Sequence, residues 1–141
     1  MIEYANKDDV LQICVLEQEN MPHPYSQNLV QDLFDNPRVK VLKIVKNNKI
    51  VAYVSAEIII DDASINNVVV DKNYRRLGLG NQMIAFLKNE LKASGVKKIF
   101  LEVASRNIPA INLYKNNRFK QISIRKKYYG DDDAIIMQYD C

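Results

Sequence analysis

Apolar and polar positions alternate along the 141 residues in a way that predicts short strands interspersed with amphipathic helices. Strands are predicted at 2–4, 39–45, 50–60, 64–70, 98–103, 119–127 and 134–139. Helices are predicted at 7–20, 27–34, 81–94 and from 107 to about 114. Because a helix joins the strands at 64–70 and 98–103, we expect those two strands to run parallel.

Residues at the element ends support these boundaries. Ser26 is a good cap for the second helix, and Gly95 suits the end of the third. Turn residues at 47–48, at 61–62 and at 128–133 predict the connections of three hairpins. Helical spacing predicts that the third helix buries one face, formed by Met83, Phe86, Leu87 and Leu91.

A glycine-containing loop lies between the strand ending at Val70 and the third helix. Gly78 and Gly80 allow backbone N–H groups to face outward, and the helix N-terminus adds unpaired donors and a partial positive charge. Arg75 and Arg76 add full positive charges beside this loop. This arrangement favours a phosphate site, although the glycines could equally serve an ordinary strand–helix turn. A dinucleotide fingerprint is not present, because position 83 is Met rather than Gly.

The segment R-x-x-G-x-G, preceded by V-x-V-D, resembles the pyrophosphate-binding signature of the GNAT acetyltransferases, which hold acetyl-coenzyme A. The order β-α-α-β-β-β-α-β-α-β-β resembles that fold over nearly the whole chain. The resemblance implies one α/β domain over residues 1–141, with about four helices around a mixed, mostly antiparallel sheet. It also implies that the parallel strands at 64–70 and 98–103 splay apart and admit the acetyl-pantetheine arm.

Further segments look like the RimI group, which acetylates the N-terminal amine of a small-subunit ribosomal protein. They are F-L-E-V at 100–103, the N-x-P-A-I-x-L-Y run at 107–114, I-R-K-K-Y-Y at 124–129 and D-A-I-I-M at 133–137. His23-Pro24-Tyr25-Ser26 resembles a segment in which the group has Trp instead of Tyr. Lys72 replaces a usual proline and Arg118 a usual glycine, so Asn117 is a candidate for the left-handed residue.

Amine acetylation needs a base to free the amine and an acid to protonate the departing thiolate. Glu102 is the candidate base and Tyr114 the candidate acid, and the resemblance assigns the same roles. The resemblance also assigns coenzyme contacts to Val68, Val69, Val70, Arg76, Leu77, Gly78, Leu79, Gly80, Asn81 and Asn107. The charge of Arg75 beside the glycine loop makes it a further expected contact. Tyr25, Tyr128 and Tyr129 are expected to form a wall around the acceptor, and no metal is expected.

Each of these residues also has a purely structural interpretation. Glu102 could be a solvated glutamate on an amphipathic strand that buries Leu101 and Val103 on its other face. Tyr114 could be a core aromatic residue, and Asn107 could only cap a helix. The three tyrosines could be packing residues.

Composition narrows the class of protein. Hydrophobic content of 48% and charged content of 26% are ordinary for a globular domain. We find no signal-peptide pattern or membrane-spanning run, and the two distant cysteines do not suggest a disulfide, so we expect a cytoplasmic protein. Residues 1–62 hold 6 Lys/Arg and 10 Asp/Glu, a net of −4, whereas residues 63–141 hold 14 and 7, a net of +7. The basic half could receive an anionic cofactor.

These observations favour an acetyl-coenzyme A-dependent enzyme that acetylates a protein N-terminus by direct transfer. The resemblance implies that the acceptor is a ribosomal protein. An acetyltransferase for a small amine, such as a polyamine or aminoglycoside, would use the same cofactor site. A non-catalytic coenzyme- or RNA-binding module is the alternative from another class. The net charge of +3 is modest, so we expect neither a specific nucleic acid nor a membrane as partner.

Overall fold

Seven strands form one sheet in the order β1-β2-β3-β4-β5-β7-β6. The computed structural model describes residues 1–141, apart from the side chain of Tyr129. The strands are β1 Ile2–Tyr4, β2 Val39–Lys46, β3 Lys49–Ile59, β4 Asp62–Val70, β5 Lys98–Ala104, β6 Lys120–Tyr129 and β7 Asp132–Asp140. The helices are α1 Val10–Asn20, α2 Gln27–Asp35, α3 Leu79–Ala93 and α4 Ile108–Asn116. The predicted order of elements is therefore confirmed.

The pairing of β4 with β5 determines where a ligand can enter the sheet. It is parallel, as expected for strands joined by a helix, whereas the other neighbouring strands pair in antiparallel fashion. Paired residues run only from Asp62–Lys98 to Ser64–Phe100. Beyond Ser64 the two strands continue without pairing, which leaves the gap that the family resemblance implies.

Helices cover both faces of the sheet. On one face, α3 and α4 pack on the sheet through a cluster that includes Met83, Leu87, Leu101 and Val103. On the other, α1 and α2 pack through Ile13, Val30, Tyr53 and Val69. The alternation of β5 is as predicted, because Leu101 and Val103 are buried while Glu102 lies on the opposite face.

The predicted buried face of α3 was wrong at one position. Phe86 is 36% exposed, whereas Ile84 is fully buried beside Met83, Leu87 and Leu91. Residue 86 lies about 100° around the helix from residue 87, which turns it away from the sheet. Helical spacing had grouped Phe86 with Met83 and Leu87, whereas the buried face is shifted toward Ile84.

Several boundaries also differ from prediction. The helix α3 begins at Leu79 rather than at 81, since Gly78 adopts a left-handed φ of 78° and directs the chain into the helix. The strand β4 begins at Asp62 rather than 64, because Ile60 has a φ of 58° and forms the turn. The last hairpin is longer than predicted, so residues 128 and 129 end β6 and the turn is at Gly130 and Asp131.

The turn between α4 and β6 shows how the chain accommodates Arg118. Arg118 itself is left-handed, with a φ of 69°, whereas Asn117 has a φ of −98°. The expectation that Asn117 supplies the left-handed residue was therefore wrong. Asn117 instead donates from Nδ2 to Oδ1 of Asn81 and to the carbonyl of Leu113, both at 2.9 Å. Its side chain ties the end of α4 to the first turn of α3.

Candidate active site

A cavity of about 1130 Å³ opens where β4 and β5 separate. Its walls come from the second half of β4, the end of β5, the first turn of α3 and the inner side of α4. Residues on both faces of the sheet reach it, because the gap between the strands passes through the sheet.

The glycine loop forms one end of the cavity. The N-cap position of α3 is Gly78, so no side chain satisfies the first backbone N–H groups of this helix. A Cβ built on Gly78 would meet no heavy atom within 4 Å, so this surface is open to an approaching group. Gly80 has a different role, because a Cβ there would lie 3.3 Å from the side chain of Leu113 and push α4 away.

Asp71 shapes the start of the same loop. Its side chain is only 3% exposed, accepts a hydrogen bond from the N–H of Asn73 at 2.9 Å and pairs with Lys49 at 3.3 Å. The hydrogen bond from Asn73 is the main cause that lowers the pKa of Asp71, with Lys49 acting in the same direction. Asp71 is thus a structural residue that turns the chain out of β4.

Most of the expected coenzyme contacts line the cavity. They are Val68, Val69, Val70, Arg75, Arg76, Gly78, Leu79, Gly80, Asn81 and Asn107. Leu77 is 59% exposed and is not among the described lining residues. Arg75 donates from Nε to the carbonyl of Val70 at 3.1 Å, which fixes its guanidinium beside the strand end. Arg76 has a left-handed φ of 64°.

The two candidate catalytic side chains line the same cavity. Glu102 projects from β5 with its side chain 33% exposed, and one carboxylate oxygen lies 3.1 Å from the guanidinium of Arg125 on β6. Tyr114 projects from α4 and is 7% exposed, with its ring in edge contact with Phe119. Burial raises the pKa of Tyr114 to about 12, so its hydroxyl stays protonated at neutral pH.

The position of Asn107 is compatible with both interpretations that the sequence left open. It caps α4, because Oδ1 accepts from the N–H of Ala110 at 3.3 Å. It also lines the cavity.

The two tyrosines of the expected acceptor wall whose side chains the structure describes do not line the cavity. Tyr25 packs on the core beneath α1 and α2, while its backbone N–H donates to Glu17 at 3.0 Å. Tyr128 is 53% exposed with the guanidinium of Arg125 5.4 Å from its ring centre. Neither is among the described lining residues. The side chain of Tyr129 lies outside what the structure describes.

Sequence reasoning missed three residues of this region. His23 and Asn67 line the cavity, and Arg125 pairs with Glu102. His23 lies in a loop between two prolines, and the sequence identifies no partner for it. The resemblance of residues 23–26 to the His-Pro-Trp-Ser segment was the available signal.

The turn of the last hairpin closes one edge of the cavity. Asp132 lines it and accepts hydrogen bonds from the hydroxyl of Ser105 and from the N–H of Arg106. These bonds, that of Ser105 first, lower the pKa of Asp132. The hairpin is thereby anchored to the loop that follows β5.

The described residues form neither a metal-binding cluster nor a membrane-spanning helix. No group of three or more His, Cys, Asp or Glu side chains is arranged to hold a metal ion there. None of the helices found there has the length and apolar character needed to span a membrane.

Comparison with known proteins agrees with this geometry. The [ribosomal protein bS18]-alanine N-acetyltransferase of Escherichia coli strain K12 is 37% identical over 99 residues, which cover 67% of each chain. The crystal structure of the ribosomal-protein-S18-alanine N-acetyltransferase from Escherichia coli superposes with a TM-score of 0.93 at 30% identity, covering 99% of this chain and 92% of that one.

A more distant neighbour shares only the fold. It is an aminoglycoside 6′-N-acetyltransferase solved with coenzyme A, which matches with a TM-score of 0.88 at 16% identity over 99% of this chain and 96% of that one.

The family model described as acetyltransferase (GNAT) family matches residues 10–119. The chain therefore belongs to the GNAT family of N-acetyltransferases, enzymes that use acetyl-coenzyme A.

Proposed function

We propose that this enzyme acetylates the α-amine of a protein N-terminus, and that the acceptor is the small-subunit ribosomal protein bS18. The relatives named above act on that protein according to their names, and one of them covers nearly this whole chain. The observation that carries the proposal is that Glu102 and Tyr114 line one cavity at the point where β4 and β5 separate.

Glu102 is assigned the role of base. An α-amine is protonated for a good part of the time at neutral pH. Only its unprotonated form has the lone pair that attacks a carbonyl carbon. The carboxylate of Glu102 accepts the proton, directly or through a water molecule, and passes it to solvent. Such help is typically worth about 10²–10⁴-fold in rate.

Tyr114 is assigned the role of acid. Acetyl-coenzyme A supplies the thioester from which the acetyl group is transferred. As the C–N bond forms, the attacking nitrogen loses its second proton to the carboxylate of Glu102. As the C–S bond breaks, Tyr114 gives its hydroxyl proton to the departing sulfur and later regains a proton from solvent. The hydroxyl of Tyr114 is protonated at neutral pH, so the proton is present for this step.

The glycine loop is assigned to the pyrophosphate of the coenzyme. The uncapped N-terminus of α3 offers backbone N–H donors, and the open surface at Gly78 lets a phosphate approach them. Arg75 and Arg76 provide positive charge at the same end of the cavity. Val68, Val69 and Val70 offer main-chain groups to the pantetheine arm along the unpaired edge of β4.

The acceptor would enter from the other side, where Glu102 lies. His23, Asn67 and Asp132 line that part of the cavity, and their side chains offer polar partners for a charged amine and its neighbouring peptide group. A ribosomal acceptor would set the reaction in the cytoplasm, as the sequence analysis expects. A polyamine or aminoglycoside remains the competing acceptor, since it would use the same coenzyme site.

A substrate panel tests the proposal. The enzyme is incubated with acetyl-coenzyme A and with N-terminal peptides of bS18 and other ribosomal proteins, alongside spermidine and an aminoglycoside, and products are read by mass spectrometry. We expect the bS18 peptide to be modified with the highest kcat/KM. Efficient acetylation of a small amine, with every peptide unmodified, would favour the competing acceptor.

A further inference from the structure

Glu17 is a fully buried carboxylate outside the catalytic pair. It lies in the last turns of α1 at 0% exposure, among the side chains that pack this helix on the sheet. An ionised carboxylate can only accept hydrogen bonds, and burial without donors would be strongly unfavourable.

Three donors from three segments converge on Glu17. The backbone N–H of Tyr25 donates to Oε1 at 3.0 Å, while the hydroxyl of Tyr53 on β3 and the Nδ2 group of Asn67 on β4 both donate to Oε2. Burial and the adjoining carboxylate both raise the pKa of Tyr53 above its ordinary value, so its hydroxyl remains a donor. Glu17 thus links α1 to the loop before α2 and to the unpaired part of β4.

The bond to Glu17 determines which way the Asn67 amide points. Because the carboxylate offers no donor, the NH₂ end of the amide must face it. The carbonyl oxygen Oδ1 is then left at the other end, and none of the hydrogen bonds found among the described residues uses it. Asn67 is half-buried and lines the cavity.

A bulge in β4 puts Asn67 on the same face of the sheet as Glu102. The register between β3 and β4 shifts at Ser55, so that Asn66 is the extra residue. Asn67 and Val69 therefore face α1 and α2, whereas Ile65 packs in the cluster under α3. The side chain of Glu102 also points away from that cluster. The side chains of Asn67 and Glu102 therefore lie on the same face of the sheet, on either side of the gap between β4 and β5.

We propose that Asn67 binds the acceptor amine through Oδ1 and that Glu17 is the positioning residue that fixes this orientation. The inference rests on the proposed function and names a specific contact within it. A primary amine that has lost one proton keeps two N–H bonds and one lone pair. Acceptors at Glu102 and Asn67 can take the two N–H groups, which leaves the lone pair free to face the thioester carbon.

Glu17→Gln and Tyr53→Phe form a matched pair of variants. A glutamine at 17 can donate to Oδ1 of Asn67, which turns the amide and presents NH₂ to the cavity. The Tyr53 variant removes another hydrogen bond from the same buried oxygen but leaves Asn67 oriented. We expect Glu17→Gln to raise the KM for the acceptor by about tenfold or more, with unchanged affinity for acetyl-coenzyme A, and Tyr53→Phe to leave both unchanged.

Combining Glu17→Gln with Asn67→Ala tests whether Glu17 acts through Asn67. If Glu17 acts through Asn67, the double variant has the same acceptor KM as Asn67→Ala alone. A further rise of about tenfold in that background would overturn the proposal, as would equal KM changes in the Glu17 and Tyr53 variants. Thermal unfolding of every variant is measured alongside, so that a loss of folded protein is recognised.

Asn67→Ala is also informative by itself if Glu17→Gln does not fold. An acceptor KM equal to that of the wild type would overturn the contact. The measurements use whichever amine the wild type acetylates in the substrate panel. A wild type that modifies only small amines therefore contradicts the proposed acceptor, while an unaffected Asn67 variant contradicts this inference.

Discussion

The guanidinium of Arg125 lies 3.1 Å from the carboxylate of Glu102 and 5.4 Å from the ring centre of Tyr128. The candidate base is therefore held by a residue of the last hairpin, which belongs to a different part of the sequence. Arg125 is 56% exposed, so this ion pair is of modest strength and is screened by salt. Its importance is for the orientation of Glu102 rather than for the stability of the fold.

Replacing Arg125 by Met should lower kcat by about three- to tenfold, because Glu102 loses the partner that orients it. Lys126→Met is the matched control, since Lys126 is on the same strand but pairs with Asp133 at 3.5 Å. Steady-state kinetics at saturating substrate provide the measurement. In a Glu102→Gln background the Arg125 change should have no further effect, and a second loss of the same size there would contradict the account.

Gly78→Glu should abolish acetyl-coenzyme A binding. Apart from the adjoining residues, no atom lies within 4 Å of a Cβ at this position, so the new side chain obstructs what approaches from outside. It is also strained by the φ of 78°. It also brings a negative charge to the proposed pyrophosphate site. Gly95→Glu is the control, because Gly95 also has a left-handed φ and open space but is at the far end of α3. Calorimetry showing equal affinities for the two variants would contradict the site.

Alkaline pH should destabilise the protein partly through Tyr114. The pKa of this hydroxyl is about 12 in the fold against an ordinary 10.0, so the unfolded chain ionises first. Its contribution to the free energy of unfolding is complete below pH 10 and is lost as the pH rises to about 12, an effect on the order of 2 kcal/mol.

Tyr114→Phe should reduce that alkaline loss, and it should slow transfer at neutral pH by about 10²-fold. Urea unfolding at about pH 8 and about pH 11 measures the first effect, with Tyr128→Phe as an exposed control. An identical pH dependence in the wild type and the Tyr114 variant would contradict the burial argument. Unchanged kcat would remove Tyr114 as the acid.

Arg118→Gly should stabilise the protein. Arg118 is held at a φ of 69°, where a Cβ costs about 1 kcal/mol, although glycine gives part of this back through its greater freedom when unfolded. We expect a net gain of roughly 0.5–1 kcal/mol in urea unfolding. Arg118→Ala keeps the Cβ while removing the charge, so it should show no such gain. Equal stability of the two variants would contradict the strain argument.

The sequence correctly predicted those features of the fold that depend only on residues close together in the chain. Alternation placed Glu102 opposite Leu101 and Val103, and Asn107 caps α4 as its side chain suggested. The tight turn at 47–48 also follows from its residues, since Asn47 and Asn48 have φ values of 53° and 61°. These features need no knowledge of the rest of the chain.

Features that depend on distant contacts were not predicted. Glu17 has the helical spacing of a buried residue, but its partners Tyr53 and Asn67 are 36 and 50 positions away. The start of α3 was placed two residues late, because Gly80 lowers helix propensity in a turn that Leu113 stabilises by packing. The ion pair of Arg125 depends on the register of β6 and β7, which contains bulges that no local pattern indicates.

The most direct test of the central claim locates the acetyl group on one peptide. A bS18 N-terminal peptide with internal lysines is incubated with the enzyme and acetyl-coenzyme A, next to the same peptide blocked at its N-terminus. An α-amine has a pKa roughly 2–3 units below that of a lysine amine, so far more of it is free at neutral pH. Tandem mass spectrometry should find the acetyl group on the α-amine of the free peptide and no product from the blocked one. Acetylated lysines in the blocked peptide, formed at a comparable rate, would contradict the account.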